Sequence, residues 1–286
     1  MRIGAVLPHN EIGTDPGAMR AYAQGIEALG FHHVLLYDHV LGADPDRPGG
    51  FSGPYDKDVA FHEPLTTFAY LAAVTERLEM VTNILILPQR QTVLVAKQAA
   101  QVAILSHNRL RLGIGTGWNK VEYDGLGVPF AARGARQEEQ VELLRRLWQE
   151  DSIDYQGEYH HIDRASINPR PSQPIPIWFG GGAPVLLKRA ARIGDGWMPI
   201  GSPNDQSAAA IELMQAERQA AGRDWDGFGI QAQAMFAGGN PDRWGTHAER
   251  WRGLGATHLA VRTDGAGFTS VEQHLEAAQS YLATVG

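Results

Sequence analysis

Residues 109–148, RLRLGIGTGWNKVEYDGLGVPFAARGARQEEQVELLRRLW, decide how this chain folds. The segment opens with the apolar run Leu110–Ile114, which predicts a buried strand. Three glycines, Gly113, Gly115 and Gly117, then mark a turn, and Leu126-Gly127 indicates a second one. An arginine-rich helix entry follows at Arg133–Arg136. Strand, turn and helix in this order form one unit of an alternating α/β fold.

The same alternation extends along the whole chain. Short apolar runs predict strands at Ile3–Leu7, His33–Tyr37, Met80–Leu87, Leu110–Gly115, Ile175–Gly180, Gly196–Ile200, Gly229–Phe236 and His258–Thr263. Amphipathic runs between them predict helices that begin near Pro16, Pro64, Thr92, Phe130, Pro184, Asn204, Pro241 and Val271. Eight strand–helix units favour a closed (β/α)₈ barrel over an open sheet, and residues 1–286 are expected to form one domain.

Two connections are too long to be ordinary barrel loops. The first, Asp38–Glu63, leaves the second predicted strand and is rich in Gly, Pro and Asp. The second is an insertion, Asp151–Pro174, before the fifth predicted strand. Long loops in a compact domain usually serve function. The part from Gly42 to Asp58, which carries Phe51 and Tyr55, is expected to shape a substrate pocket.

Composition excludes several classes of protein. The chain has 25 basic and 32 acidic residues, a net charge of −7, and no block of like charge for nucleic acid or an anionic membrane surface. It has no cysteine, which rules out disulfides, thiolate metal sites and a cysteine nucleophile. No apolar run approaches the roughly 20 residues that span a bilayer, and the N-terminus matches no signal peptide. We therefore expect a cytoplasmic protein.

Asp38 and His39 close the second predicted strand, where a barrel places its chemistry. A carboxylate and an imidazole side by side suit proton transfer, because the pKa of imidazole lies near neutral pH. A strand-end turn with a capping Asp38 and a half-buried His39 is the competing interpretation, and the pair alone does not separate the two.

Glycines close the fourth and fifth predicted strands. Gly115 and Gly117 precede Trp118, and Gly180, Gly181 and Gly182 precede Ala183-Pro184. Glycine lets the backbone approach a flat ring or a phosphate closely. Pro184 favours a helix start, so Gly181, Gly182 and Ala183 are candidates for holding an anionic group with their free amides. Trp118 is either a wall of the pocket or a buried anchor.

Other candidate sites are weaker. The eleven histidines include no metal-binding spacing such as HExxH, so no metal site is expected. Arg133 and Arg136 can clamp an acidic cofactor tail or pair with Glu138 and Glu139 at a solvated helix start, and the second is favoured.

Three segments together resemble the luciferase-like flavin and deazaflavin oxidoreductases. They are GFHHV followed by DHV over Gly30–Val40, the Gly115–Trp148 stretch with its LGVPFAARGAR sequence, and Pro174–Trp197. The resemblance is strongest to the branch that uses coenzyme F420. It implies a (β/α)₈ barrel, one non-covalent cofactor at the C-terminal face, hydride exchange with a small-molecule substrate, and a homodimer.

The resemblance also implies residue roles. His39, beside Asp38, is expected to orient or protonate the substrate next to the transferred hydride. A non-proline cis peptide at Asn83-Ile84 is expected to back the central ring of the cofactor. Gly115, Gly117 and Trp118 are expected against the ring.

Two alternatives stay open. One is an FMN-dependent monooxygenase supplied with reduced flavin by a partner reductase, since the two cofactors differ at one ring atom. The other is a non-catalytic barrel that only binds a flavin-like ligand.

Overall fold

The computed structural model describes residues 1–286, in which strands and helices alternate. The strands are β1 (Arg2–Val6), β2 (His33–Leu36), β3 (Glu79–Thr82), β4 (Leu85–Ile86), β5 (Leu110–Gly115), β6 (Ile153–Gln156), β7 (His161–Ala165), β8 (Ile177–Gly180), β9 (Gly196–Met198), β10 (Gly229–Met235) and β11 (His258–Arg262). The helices are α1 (Pro16–Leu29), α2 (Pro64–Val74), α3 (Thr92–Leu105), α4 (Lys120–Gly125), α5 (Arg133–Gln149), α6 (Pro184–Ile193), α7 (Asp205–Ala220), α8 (Pro241–Gly253) and α9 (Val271–Val285).

A parallel barrel organises these elements. Neighbouring strands follow the order β3, β2, β1, β11, β10, β9, β8, β5, and β3 pairs with β5 to close the ring. In that closing pair Met80 lies opposite Leu110, and in the β1–β11 pair Arg2 lies opposite His258. The predicted (β/α)₈ barrel is confirmed, and all strand carboxyl ends meet at one mouth.

Alternating side chains along each strand divide the core into two layers. Ile3 and Ala5 of β1 face the surrounding helices and belong to the large outer cluster. Val6 points the other way and packs inside the barrel with Leu35, Val81, Trp178, Met198 and Ala260. This inner cluster fills the barrel, so the space for a ligand lies above it, at the strand carboxyl ends.

The third barrel strand is interrupted. A continuous strand was predicted over Met80–Leu87, but β3 ends at Thr82, β4 resumes at Leu85, and a 3₁₀ turn covers Leu87–Gln89. The peptide bond between Asn83 and Ile84 is cis, as the resemblance implied. The prediction of one continuous strand was wrong because the chain breaks at Asn83-Ile84, directly after the polar residues Thr82 and Asn83 interrupt the apolar run.

Residues 118–132 are more helical than predicted. Two turns were expected, but α4 forms between them, and the Asn119 side chain accepts a hydrogen bond from the amide of Val121 at its start. The next helix, α5, begins at Arg133 rather than near Phe130. An asparagine that accepts from the second following amide is a typical helix cap.

The insertion before β8 contains an antiparallel hairpin formed by β6 and β7. The predicted pairing of Arg133 and Arg136 with Glu138 and Glu139 is wrong. Glu138 pairs with Arg189 at 2.7 Å, and Glu139 pairs with His160 of the hairpin at 2.6 Å. The carboxylates of α5 therefore hold its neighbours in place. None of the helices is both long and apolar enough to cross a membrane.

Candidate active site

A cavity of about 860 Å³ opens at the carboxyl ends of the barrel strands. Its wall includes His39 after β2, Ile84 between β3 and β4, Trp118 after β5, Gly181 after β8 and Arg262 of β11. Most of the predicted site residues are brought together here: Asp38, His39, Asn83, Ile84, Gly117, Trp118, Gly180, Gly181, Gly182 and Ala183. A cavity of this size and place is typical of a cofactor and substrate site.

His39 is oriented by a buried glutamate that sequence reasoning did not assign a role. Its Nδ1 lies 3.1 Å from Oε1 of Glu122, and the His39 side chain is 14% exposed. The same Glu122 oxygen accepts hydrogen bonds from the amides of Val40 at 2.8 Å and Leu41 at 3.3 Å. Nδ1 is hydrogen-bonded to Glu122, whereas Nε2 has no protein partner and remains available to a ligand.

Aromatic side chains surround His39. The ring centroids of Phe61, Tyr55 and Trp118 lie 4.7, 5.2 and 5.9 Å from the imidazole centroid. Phe51 stacks on Trp118 at 6.1 Å, so the long loop after β2 covers this side of the cavity. Trp118 is 45% exposed and lines the cavity, so it is a wall and not a buried anchor.

Both carboxylate oxygens of Asp38 accept hydrogen bonds from residues that follow β3. Its Oδ1 accepts from Arg90 at 2.7 Å, and its Oδ2 accepts from the Ile86 amide at 2.9 Å. Burial raises the pKa of the Asp38 carboxyl, and Arg90 opposes that shift. Because both oxygens are occupied, the geometry does not support the catalytic role predicted for Asp38. The residue instead positions the backbone next to the cis peptide and, through the chain, its neighbour His39.

Arg90 also binds Glu63, with 3.1 Å between Nη1 and Oε1. One guanidinium thus joins the first residue of the long loop, Asp38, to its last residue, Glu63. The ends of the loop are held together at the rim of the barrel.

The glycines of β5 and β8 make room for a side chain of the third barrel strand. A Cβ at Gly115 would lie 1.7 Å from Ile84 Cδ1, and one at Gly180 would lie 2.6 Å from Ile84 Cγ2. The predicted contact of Gly115 with a ligand is therefore corrected, since Ile84 occupies that space and Gly115 is absent from the cavity wall. Ile84 itself faces the cavity.

Free amides lie at the start of α6. No side chain caps this helix, and the amides of Gly182, Ala183 and Val185 donate to no protein acceptor. Gly181 differs from the prediction, because its amide donates to the Met198 carbonyl at 3.1 Å. Of the three residues predicted to hold an anionic group, Gly181 therefore has no free amide, whereas Gly182 and Ala183 do. These free donors point to phosphate or carboxylate binding at a helix N-terminus.

The opposite wall of the cavity is polar. The Tyr37 hydroxyl donates to Gln233 Oε1 at 2.8 Å, and burial raises the pKa of that hydroxyl. Arg262 lies over the Tyr37 ring at 5.3 Å and is paired with Asp264 at 2.5 Å. These paired groups offer hydrogen bonds to a ligand without carrying an unbalanced charge.

Glu122, Gln233 and Arg262 are cavity residues to which the sequence analysis assigned no role in the site. Glu122 had one available signal, since it follows Trp118-Asn119 in the segment that carries the family resemblance. Nothing in the local sequence distinguishes Gln233 or Arg262 from other strand residues.

A closed parallel barrel with a cavity and an ordered imidazole at the strand carboxyl ends has the architecture of a barrel enzyme, which carries its active site at this face. The family model described as luciferase-like monooxygenase matches residues 1–280. The chain belongs to the luciferase-like monooxygenase family and is an oxidoreductase.

Two relatives in sequence are informative. The chain is 42% identical to an uncharacterized protein of Mycobacterium tuberculosis over 207 residues, 70% of this chain and 71% of that protein. It is 34% identical to an F420-dependent glucose-6-phosphate dehydrogenase of Amycolatopsis mediterranei over 205 residues, 69% of this chain and 57% of that protein.

Solved structures share the fold. A monooxygenase from Streptomyces bottropensis superimposes with a TM-score of 0.82 at 20% identity and covers 100% of this chain and 98% of its own. An F420-dependent secondary alcohol dehydrogenase, in complex with an F420-acetone adduct, gives 0.81 at 17% identity and covers 100% and 99%. At these identities the likeness concerns the barrel alone.

Proposed function

We propose that this protein is a coenzyme F420-dependent oxidoreductase that exchanges a hydride between the deazaflavin and a small organic substrate. The observation that carries the proposal is the imidazole of His39, held through Nδ1 by Glu122 at 3.1 Å with Nε2 free at the cavity. Hydride exchange with a carbonyl or alcohol requires a proton at the neighbouring oxygen, and a free imidazole nitrogen suits that task.

The residues of the cavity fit a cofactor of this class. Ile84, on the bulge between β3 and β4, offers an apolar surface against which a flat ring can lie. The unpaired amides of Gly182 and Ala183 would hold its phosphate. When bound, the deazaflavin supplies two-electron hydride chemistry and reacts poorly with oxygen.

The side chains around the ring have separable tasks. His39 would bind the oxygen of the substrate through Nε2 and hold or release a proton there. Glu122 fixes the imidazole with Nδ1 as the donor, so that Nε2 is the reactive nitrogen. Tyr55, Phe61 and Trp118 exclude water from the imidazole, which strengthens every polar contact made there.

The relatives favour F420 over FMN. The F420-dependent glucose-6-phosphate dehydrogenase is aligned over two thirds of this chain at 34% identity, well above the level at which only the fold is shared. The sugar phosphate in that enzyme's name belongs to that enzyme and is not carried over to this chain.

An FMN-dependent two-component monooxygenase is the second candidate. The family description and the Streptomyces monooxygenase both support it. A non-catalytic flavin-binding barrel is a weaker third candidate, because an imidazole ordered by a buried carboxylate has no purpose in mere binding. The homodimer and the reductase partner remain predictions.

Titrations with the two cofactors test the proposal. Purified protein is titrated with F420 and with FMN, each oxidised and reduced, while quenching of tryptophan emission is followed. We expect saturation by F420 and none by FMN at the same concentrations. Saturation by FMN alone, together with oxygen uptake when reduced FMN and a substrate are supplied, would replace the proposal with the monooxygenase. Tight F420 binding without hydride exchange towards a panel of alcohols and ketones would favour the non-catalytic barrel.

A further inference from the structure

Trp118 presents an open aromatic surface to the cavity. The side chain is 45% exposed, and it lines the cavity wall on the side of His39. Phe51 of the long loop after β2 lies nearly parallel to the indole, with 6.1 Å between centroids and 27° between planes. Apolar surface that stays uncovered in a concave site is characteristic of ligand pockets.

The long loop fixes this indole before any ligand arrives. A Cβ at Gly53 would lie 2.3 Å from Phe51 Cζ and 2.6 Å from Trp118 Cη2, so the loop backbone packs directly against the stacked pair. Phe51 and Gly53 thus cover part of the indole, and the uncovered part belongs to the cavity wall. A ring held in this way loses little conformational freedom when a ligand binds.

A second aromatic side chain continues the surface. Tyr55 lines the same cavity, and its ring centroid lies 5.2 Å from that of His39. Phe61 packs against Tyr55, with 5.0 Å between the two ring centroids. We call Tyr55 and Trp118 the aromatic wall.

The aromatic wall adjoins the place of a substrate bound at His39. An oxygen that is hydrogen-bonded to Nε2 lies about 2.8 Å from that nitrogen. The centroids of Tyr55 and Trp118 are 5.2 and 5.9 Å from the imidazole centroid. Because these distances are so short, carbons attached to that oxygen come within contact distance of the aromatic wall. The wall therefore meets the part of the substrate next to the reacting carbon.

No unpaired charge lies beside the aromatic wall. The two carboxylates that line the cavity both accept hydrogen bonds from protein donors. Arg262 is paired with Asp264. Arg243 belongs to α8 after β10, and β11 and β1 separate that strand from β2. A charged substituent would therefore lose its hydration at the aromatic wall without gaining a partner of opposite charge.

Aromatic rings select shape as well as polarity. A planar π system stacks on an indole or phenol ring in an offset or edge-to-face arrangement, which stabilises the pair beyond the burial of its area. A polyol at the same place would lose hydrogen bonds to water that aromatic carbons do not replace. The aromatic wall therefore favours a planar apolar group over a hydroxylated one.

We propose that Tyr55 and Trp118 determine substrate specificity, and that the substrate is an uncharged alcohol or carbonyl compound whose reacting carbon carries a planar apolar group, such as an aromatic ring. The substrate oxygen binds at Nε2 of His39, and the planar group binds at the aromatic wall. The identity of the reacting group rests on the proposed function, whereas the binding of a planar group does not.

Titrations with benzyl alcohol, cyclohexylmethanol and inositol test the aromatic wall. The first is planar and apolar, the second has the same carbon skeleton without the planar ring, and the third is a cyclic polyol. Binding is followed in ¹H–¹⁵N spectra through the amides of Gly53 and Tyr55, which are present in every variant. We expect benzyl alcohol to bind about three- to tenfold more tightly than cyclohexylmethanol. Inositol should bind about tenfold or more weakly than either.

Tryptophan substitutions locate this preference. Trp118→Leu keeps an apolar side chain but removes the π surface, so benzyl alcohol should lose its advantage over cyclohexylmethanol. Trp118→Phe restores a planar ring and should keep most of the advantage. Trp225→Leu is the matched control, because Trp225 also packs against a phenylalanine, Phe228 at 4.8 Å, but precedes β10 at the opposite end of the barrel. The control should leave both affinities unchanged.

The cofactor ring is the other planar group that could use the aromatic wall, and a further arm distinguishes it. The titrations are repeated in protein saturated with reduced F420, which cannot take a hydride from an alcohol. If the wall serves the substrate, benzyl alcohol still binds with the same preference. If F420 prevents its binding and Trp118→Leu weakens F420 binding to a similar extent, the wall belongs to the cofactor and the substrate assignment is wrong.

Two more results would overturn the substrate class. One is equal binding of benzyl alcohol and inositol, and the other is an equal loss of preference in Trp118→Leu and Trp225→Leu. Failure of the proposed function gives a different result, because the titration of the protein alone needs neither cofactor nor turnover. Hydride exchange with inositol but not with benzyl alcohol would retain the proposed function and remove the aromatic wall from substrate selection.

Discussion

The two sides of the barrel mouth differ in how their polar groups are paired. On the β2–β3 side, Asp38 is bound by Arg90 and the Ile86 amide, and His39 is bound by Glu122. On the side of α6 and α8, the amides of Gly182 and Ala183 and the indole nitrogen of Trp244 have no acceptor. On the first side, protein partners hold Asp38 and the Nδ1 edge of His39, and on the second side these backbone and indole donors have no protein acceptor.

This difference separates two tasks of an enzyme. Groups that act on a reacting atom must be held in place before the substrate arrives, because ordering them later would cost part of the binding energy. Groups that bind a ligand must keep their donors free until it is there. Substitutions on the paired side should therefore lower turnover, and substitutions on the unpaired side should lower affinity.

His39→Asn should have the largest effect. It removes the free Nε2 from the paired side, and we expect turnover to fall by about a hundredfold or more, with F420 affinity within a few fold of the wild type. Stopped-flow measurement of F420 reduction and a fluorescence titration give the two quantities. Unchanged turnover would show that His39 has no part in the mechanism. The two sides of the barrel mouth would then not differ in their effects on turnover and affinity.

Gly182→Asp should lower the affinity for F420 rather than the turnover. It places a carboxylate among the free amides of α6, and we expect F420 affinity to fall by about ten- to a hundredfold through repulsion of the phosphate. A Cβ at Gly182 meets no atom within 4 Å, so the fold should accept the side chain. Gly182→Ala is the matched control and should bind F420 nearly as the wild type does. Equal affinities for all three proteins would place the phosphate elsewhere.

Glu122→Gln tests the pairing of His39 on the β2–β3 side of the barrel mouth. The glutamine oxygen can still accept from Val40, Leu41 and Nδ1 of His39, but the negative charge that favours a proton on Nδ1 is lost. We expect turnover to fall about tenfold with F420 affinity unchanged. The ¹⁵N shifts of the His39 ring should show Nδ1 protonation in the wild type and a mixture of tautomers in the variant. A reduced rate with an unaltered tautomer would mean that Glu122 acts only through the loop.

The effect expected to be smallest at neutral pH concerns His9, a buried neutral histidine near His39. Burial lowers the pKa of His9 from 6.5 to about 4. Above pH 6.5 both the folded and the unfolded chain keep this ring neutral, so its stability contribution is complete. As the pH falls from 6.5 towards 4, the unfolded chain binds the proton first, and stability is lost by up to about 1.4 kcal/mol per pH unit.

His9→Asn should remove that part of the slope, since asparagine can donate to the same Leu7 carbonyl without titrating. Urea unfolding at pH 7, 6, 5 and 4 measures the slope. His32→Asn at an exposed position is the control. Identical slopes in His9→Asn and the wild type would mean that the folded protein takes up the proton at His9.

Local sequence patterns were sufficient to predict the barrel, but they did not predict which polar side chains pair with one another at the carboxyl ends of its strands. Every barrel strand and its helix follow from apolar spacing and helix caps, because those depend on neighbouring residues. Asp38 looked catalytic because it ends a strand, and its partner Arg90 lies 52 residues away. No role was predicted for Glu122, because its burial against His39 depends on a loop 83 residues earlier.

The contact of Gly115 in β5 also depends on a residue distant in sequence, although the separation is smaller. Gly115 correctly predicted that another group lies close to the backbone at this position, but the sequence does not identify that group. The side chain that fills the space is Ile84, placed there by the break in the third barrel strand. Contacts between parallel strands are set by barrel closure, which no single segment encodes.

The double pairing of Arg90 makes the long loop an exchangeable module. Asp38 and Glu63 are joined at its neck by one guanidinium, so the two ends stay at a fixed separation whatever lies between them. Insertions or deletions within residues 42–58 can alter the cover of the cavity while the barrel rim keeps its form. Descendants of this chain can therefore change the cover of the cavity by exchanging loop residues, while Asp38, His39 and Glu122 keep their positions at the rim.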